Sequence, residues 1–264
     1  MKRSMIGAAL VLAAGSFASA DTFLVTRGDQ MFRYNSNTNT IDQFTMTDTF
    51  HSLSNTKLGV IGVSNLQENV GNPPPDFEIW RVDNINTVPS LTRIGTSTDQ
   101  RFPSLTQVGN TIYGLGEGNI VTLDNNFNQT FVTNIQPGEA IGGSGYDPIS
   151  DTFYVTSQTT DRFFTLDLGN GSLNAIGSLG IDVRNQGGEW WRGQYWAAFE
   201  DLTNDRLVLG TVDTGSGLFT MHVVLQNGLG DLVSNRTVGL AIIPSPSGLA
   251  LLGLGTLAAL RRRR

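Results

Sequence analysis

The chain has 264 residues, 23 acidic against 17 basic, no cysteine and only two histidines, His51 and His222. The missing cysteines exclude disulfides, thiolate chemistry and Cys-based metal centres, and two histidines this far apart lack the spacing of a zinc site. Two basic residues lie in the first twenty positions and four end the chain, so 11 Lys+Arg face 23 Asp+Glu in between, a net charge near −12. Such a surface argues against nucleic acid as a partner, because binding phosphates requires a basic face.

Residues 1–20 read as a secretory signal peptide. Lys2 and Arg3 precede an apolar run from Met5 to Ala14, and Ala18-Ser19-Ala20 supplies small residues for cleavage, so the mature chain is expected to begin at Asp21. Ten apolar residues are too few for a permanent span.

From residue 21 to 243 one pattern recurs five times: MFRYN at 31–35, IWRVD at 79–83, IVTLD at 120–124, FFTLD at 163–167 and LGTVD at 209–213. Each copy is a short apolar strand ending in Asp or Asn, followed by a turn rich in Asn, Gly or Thr. The terminal carboxylate or amide is expected to close that turn by accepting from its own backbone. A further strand follows every copy, and another precedes it, for example FLVT near Phe23, TFYVTS near Tyr154 and QYWAAF near Trp196. Three repeats also carry a Gly-rich or polar stretch upstream, such as SLTQVGN and GSGYDPISD, which supplies an innermost strand. Four short strands per 40 to 50 residues define a blade, and the expected fold is an all-β, five-bladed β-propeller, with a β-sandwich as the alternative. The leftover segment TVGLAII, 237–243, is expected to pair into the first blade and remove its open edge. The GGSG run at 142–145 fits close strand packing at the axis.

Two sets of residues are candidates for a functional face. The connections between blades each carry one acid, Asp48, Asp99, Glu139, Asp182 and Asp231, and the loops joining the second and third strands add more. A face of this kind suits cations, calcium first because it accepts many oxygens in loose geometry. The second set is Trp190, Trp191 and Arg192, in the cluster EWWRGQYW. Adjacent tryptophans point to opposite sides of a strand, so one of them can line a central pocket with Arg192 and stack on a sugar. No nucleophile elbow, phosphate-cradling loop or zinc motif is present. The leading expectation is a noncatalytic surface or matrix protein that binds polysaccharide, cation or protein. A secreted glycosidase or lyase using two of the acids is the alternative.

The last residues are PSPSGLALLGLGTLAALRRRR: Pro244, Ser245 and Pro246, an uncharged stretch from Ser247 to Leu260, then Arg261, Arg262, Arg263 and Arg264. Fourteen residues of helix reach about 21 Å against roughly 30 Å of hydrocarbon, which suits a temporary anchor held by cytoplasmic arginines. In this three-part order the tail resembles the PEP-CTERM sorting signal, with Ser245 where the family has Glu. The resemblance covers Pro244 to Arg264 only. It implies processing by an exosortase-type membrane protease and an address at the cell surface or extracellular matrix, often beside exopolysaccharide. It implies no activity for residues 21–243.

Overall fold

The computed structural model describes residues 21–65, 77–97, 102–116, 118–135, 139–230 and 238–244. The signal peptide, all of the sorting tail except Pro244, Asp99 and Asp231 lie outside the described residues. Within them every element is a strand: β1 (Thr22–Asn35), β2 (Thr40–Thr56), β3 (Gly59–Asn65), β4 (Phe77–Asp83), β5 (Ser90–Ser97), β6 (Ser104–Val108), β7 (Thr111–Leu115), β8 (Asn119–Leu123), β9 (Gln129–Asn134), β10 (Ile141–Asp147), β11 (Thr152–Ser157), β12 (Arg162–Leu166), β13 (Leu173–Ser178), β14 (Val183–Trp191), β15 (Gln194–Asp201), β16 (Arg206–Val212), β17 (Phe219–Asn227) and β18 (Val238–Ile243).

The five repeat strands fall where the pattern predicts, at the end of β1 and on β4, β8, β12 and β16. Their terminal residues close turns as expected at four positions. Asn35 accepts from the backbone of Asn37 and Thr38, Asp124 from Asn126 and Asn128, Asp167 from Gly169 and Asn170, and Asp213 from Gly215 and Ser216. Asp83 instead accepts from the side chains of Arg81 and Thr92.

The sheet count departs from the expectation of five separate blades. The described strands form four hydrogen-bonded sheets: β6 to β9, β10 to β13 and β14 to β17 are four-stranded meanders, and the fourth is six-stranded in the order β18-β1-β2-β3-β4-β5. The reason is β2. Its first half pairs with β1 and its second half with β3, and Phe50 stands opposite both Gly28 and Ser64, so the ladder never breaks between the first two repeats. Within this sheet β1 folds back on itself, because the Ser36 N–H donates to the Asp21 carbonyl at 3.2 Å. A straight strand of that length would hold its ends some 40 Å or more apart. The reversal sits at Gly28, whose φ of 61° suits glycine. β18 pairs antiparallel with the first half of β1, from Thr22 opposite Ile243 to Arg27 opposite Val238.

Apolar side chains gather in five clusters among the described residues. Four lie between different sheets, for example Phe23, Val25 and Leu240 against Ala198, Leu207 and Leu209. The fifth lies inside the six-stranded sheet and packs Leu24, Met31 and Ala241 against Leu53, Val60 and Val82, so that sheet bends sharply along β2. The strands nearest the centre touch in a closed cycle, β2 to β6 to β10 to β14 to β18 and back to β2. Glycine permits this approach: a Cβ on Gly143 would lie 2.8 Å from the Gly188 nitrogen, and one on Gly187 would lie 2.7 Å from the Leu240 nitrogen. Real Cβ atoms do not come this close to backbone, so both positions require glycine.

Candidate functional site

Each meander has two ends, and the candidate residues divide between them. Glu139 and Asp182 lie on connections that enter a central strand and Asp48 lies within β2 ahead of its central half, not on a separate connection, while Trp190, Trp191 and Arg192 lie where β14 turns into β15. Asp182 precedes β14 and Trp191 ends it, and at about 3.3 Å per residue they stand roughly 30 Å apart. The acids and the tryptophans therefore occupy opposite ends of the fold.

At the acidic end the carboxylates serve local structure. Glu139 accepts hydrogen bonds from the hydroxyls of Ser157 and Thr160. Asp161 accepts from the Val183 N–H at 3.1 Å and Asp205 from the Leu229 N–H at 3.0 Å, each tying a loop to the chain beyond it. Burial pushes the Asp48 carboxyl upward, and burial followed by the nearby charge of Asp182 does the same to Asp161. Among the described residues no group of three or more Asp, Glu or His side chains converges to hold a metal ion. His51 is buried beside Phe77, and His222 bonds Thr211 and packs on Trp196.

The other end carries a cleft of about 530 Å³, formed where the central strands turn back. Its wall comprises Asn55, Thr56 and Lys57 at the end of β2, Gln107 and Gly109 at the end of β6, Tyr146, Pro148 and Ile149 at the end of β10, and Glu189 to Gly193 at the end of β14. A second cavity of about 400 Å³ adjoins it and shares Tyr146. That tyrosine donates to Asp151 at 2.7 Å, a bond that raises the pKa of its hydroxyl.

Glu189 is the one carboxylate in the wall of the larger cleft. Its Oε2 accepts from the backbone N–H of Ile242 at 3.1 Å and of Asn55 at 3.5 Å, joining three central strands. Burial pushes its carboxyl well above the ordinary value, and the two N–H donors oppose that rise.

The two tryptophans diverge as their adjacency predicts. Trp190 stacks on Tyr154 with ring centroids 5.4 Å apart, and Tyr154 stacks in turn on Phe163. Trp191 packs toward Phe23 and Val25, and its Nε1–H donates to Asp21 at 3.0 Å. Arg192 lies over the Trp191 ring at 5.4 Å and reaches Asp21 at 3.3 Å, so Asp21 anchors this corner. Trp196 is half-buried against the core, 4.6 Å from the Phe23 ring.

The sequence reading missed Asn55, Lys57, Gln107, Tyr146 and Glu189 as site residues. Their shared signal is position: each lies within three residues of the turn that ends an innermost strand, and in a ring of strands such turns meet around the axis.

No family model and no curated protein matches this chain. Among solved structures it is similar to a chain of a nidogen/laminin complex, at 10% identity and a TM-score of 0.53, covering 85% of this chain and 99% of that one. It is likewise similar to a protein of unknown function from Bacteroides caccae, at 12% identity and a TM-score of 0.51, with the same coverage. TolB from Acinetobacter baumannii follows at 14% identity and a TM-score of 0.47, covering 87% and 68%. With the meanders arranged around a centre, the first two likenesses establish the class: the protein is an all-β propeller.

Proposed function

We infer that the protein is an exported, noncatalytic binding propeller of the cell surface or extracellular matrix, with its ligand site in the cleft around Glu189, Trp190 and Trp191. The six-stranded sheet is read as two blades fused through β2, which makes a ring of five with β18 completing the first blade. The cycle of central strands and the apolar cluster inside that sheet support this count.

The observation that carries the binding reading is the composition of the cleft wall. It presents indole, phenol, amide and cationic groups with a single carboxylate. Glycoside cleavage ordinarily uses two carboxylates flanking the bond, roughly 5 to 10 Å apart. Aromatic faces bordered by amides suit the binding of a sugar chain. A glycan array with the purified full-length protein tests this. Retention without release of reducing ends is expected, whereas cleavage products or no retention would overturn it.

Export by residues 1–20 and sorting by Pro244 to Arg264 complete the proposal. The motif order at each end supports them, and an exosortase-type protease is the partner they imply. Deleting 244–264 is expected to release the protein from the surface. Unchanged retention of the truncated chain would remove the sorting role.

A further inference from the structure

Resting on that binding reading, we propose that the cleft takes an anionic polysaccharide, with Lys57 as the partner of a sugar carboxylate. Beyond Lys2, Lys57 is the only lysine in the chain, and it sits in the cleft wall. Its ammonium donates to the Asn110 carbonyl at 2.7 Å and meets no carboxylate among the described residues. Most of the described arginines of this acidic protein are placed differently: Arg27 and Arg184 pair with Glu200, Arg206 with Asp201 and Arg93 with Glu78. A cation that meets no carboxylate among the described residues, in a domain with so many acids, leaves its charge for a ligand.

The rest of the wall agrees in sign. Arg192 adds a second cation at the rim, flattened on Trp191 and partly offset by Asp21 at 3.3 Å, so the net positive charge of the wall rests on Lys57. The one carboxylate present, Glu189, spends Oε2 on two fixed N–H donors, which offset its charge. Its buried setting also favours the neutral carboxyl. The cleft is thus a locally positive spot on a molecule whose residues between the two terminal segments carry about −12. Such a contrast steers anions to one place and away from the rest of the surface.

A polymer of sugars fits better than a small anion. The indole and phenol groups of the larger cleft suit sugar rings and its volume of about 530 Å³ is in the range that encloses a small-molecule ligand, whereas the smaller cavity beyond Tyr146 is lined by Asp151 and Asp167 and disfavours an anion, so the sugar chain is placed in the larger cleft. Gln107 stiffens the lysine's setting: its Oε1 accepts from the Lys57 N–H at 2.5 Å, and its Nε2 donates to the Gly109 carbonyl at 2.7 Å.

The test is equilibrium binding of the full-length protein to polygalacturonate, a neutral glucan and polyglutamate, with EDTA present so that calcium cannot bridge acids to uronate. Wild type is expected to prefer polygalacturonate to both others. Lys57→Gln is expected to weaken that binding about tenfold, as loss of a hydrogen bond to a charged group implies, and Lys57→Arg to restore most of it. Unchanged melting of Lys57→Gln verifies its fold. Equal binding of glucan and polygalacturonate, equal binding of polyglutamate, or an inert Lys57→Gln would each overturn this inference and leave the binding propeller standing. Failure to bind any glycan would overturn both.

Discussion

Arg27 on β1 reaches Glu200 on β15, with Nε 2.5 Å from Oε1 and both side chains almost wholly buried. The pair joins the first and last sheets across 173 residues of sequence. Glu200 also accepts from Arg184 and Asn185, while Arg27 has one further acceptor, the Leu229 carbonyl. The two partners are therefore unequal. Glu200→Leu strands a buried guanidinium and is expected to cost about 3–5 kcal/mol. Arg27→Met leaves Glu200 with Arg184 and Asn185 and should cost clearly less. Urea unfolding of both variants checks this, and an equal or reversed order would contradict it.

The close approach of the central strands predicts a sharp contrast between glycines. Gly143→Val drives a side chain into the Gly187–Gly188 backbone and should cost about 3 kcal/mol or prevent folding. Gly109 has φ 58° and open space around it, so Gly109→Ala should cost only about 1 kcal/mol, for the backbone conformation. Similar losses at the two positions would mean the strands are not in contact.

Glu189 gives a pH signature. Its folded-state pKa is raised well above the ordinary 4.5, so in the window above 4.5 the folded chain holds a proton that the unfolded chain has lost. Stability then falls as pH rises through that window. Glu189→Gln removes the cost of the buried charge and keeps an acceptor for Ile242 and Asn55. The variant should be more stable than wild type at pH 7 and equal to it at pH 4, measured by urea unfolding. A variant less stable at pH 7 would show that the charged form is the favoured one.

The tryptophans separate core from site. Trp196→Ala removes a ring packed on Phe23 and should cost about 3–5 kcal/mol. Trp191→Ala, at the half-buried rim, should melt closer to wild type and lose glycan retention.

Much of the architecture was legible because apolar strands ending in Asp or Asn recur at nearly constant spacing, and each turn residue such as Asp167 carries its own local chemistry. The pairing of β18 with β1 followed from a leftover strand and an unpaired edge. The sheet count did not follow, since nothing in residues 40–56 marks where β2 passes from one repeat to the next. The segment HSLSNT, at the end of β2, forms a central strand without the glycines that signal one in β10. The site was only half legible. Trp190, Trp191 and Arg192 announce themselves by composition, whereas Lys57, Gln107 and Glu189 come from three distant repeats and share only a position at the ends of central strands. Acidic loops stood out more, yet those described mostly serve their own turns.

The claim that most needs testing is which end of the propeller binds. Hydrogen–deuterium exchange of the full-length protein with and without polygalacturonate addresses it directly. Protection is predicted at 55–57, 107–110 and 189–193, with 158–161 and 201–205 unchanged. Protection confined to 158–161, 201–205 and the connections at Asp48, Glu139 and Asp182 would place the ligand at the acidic end and contradict the account.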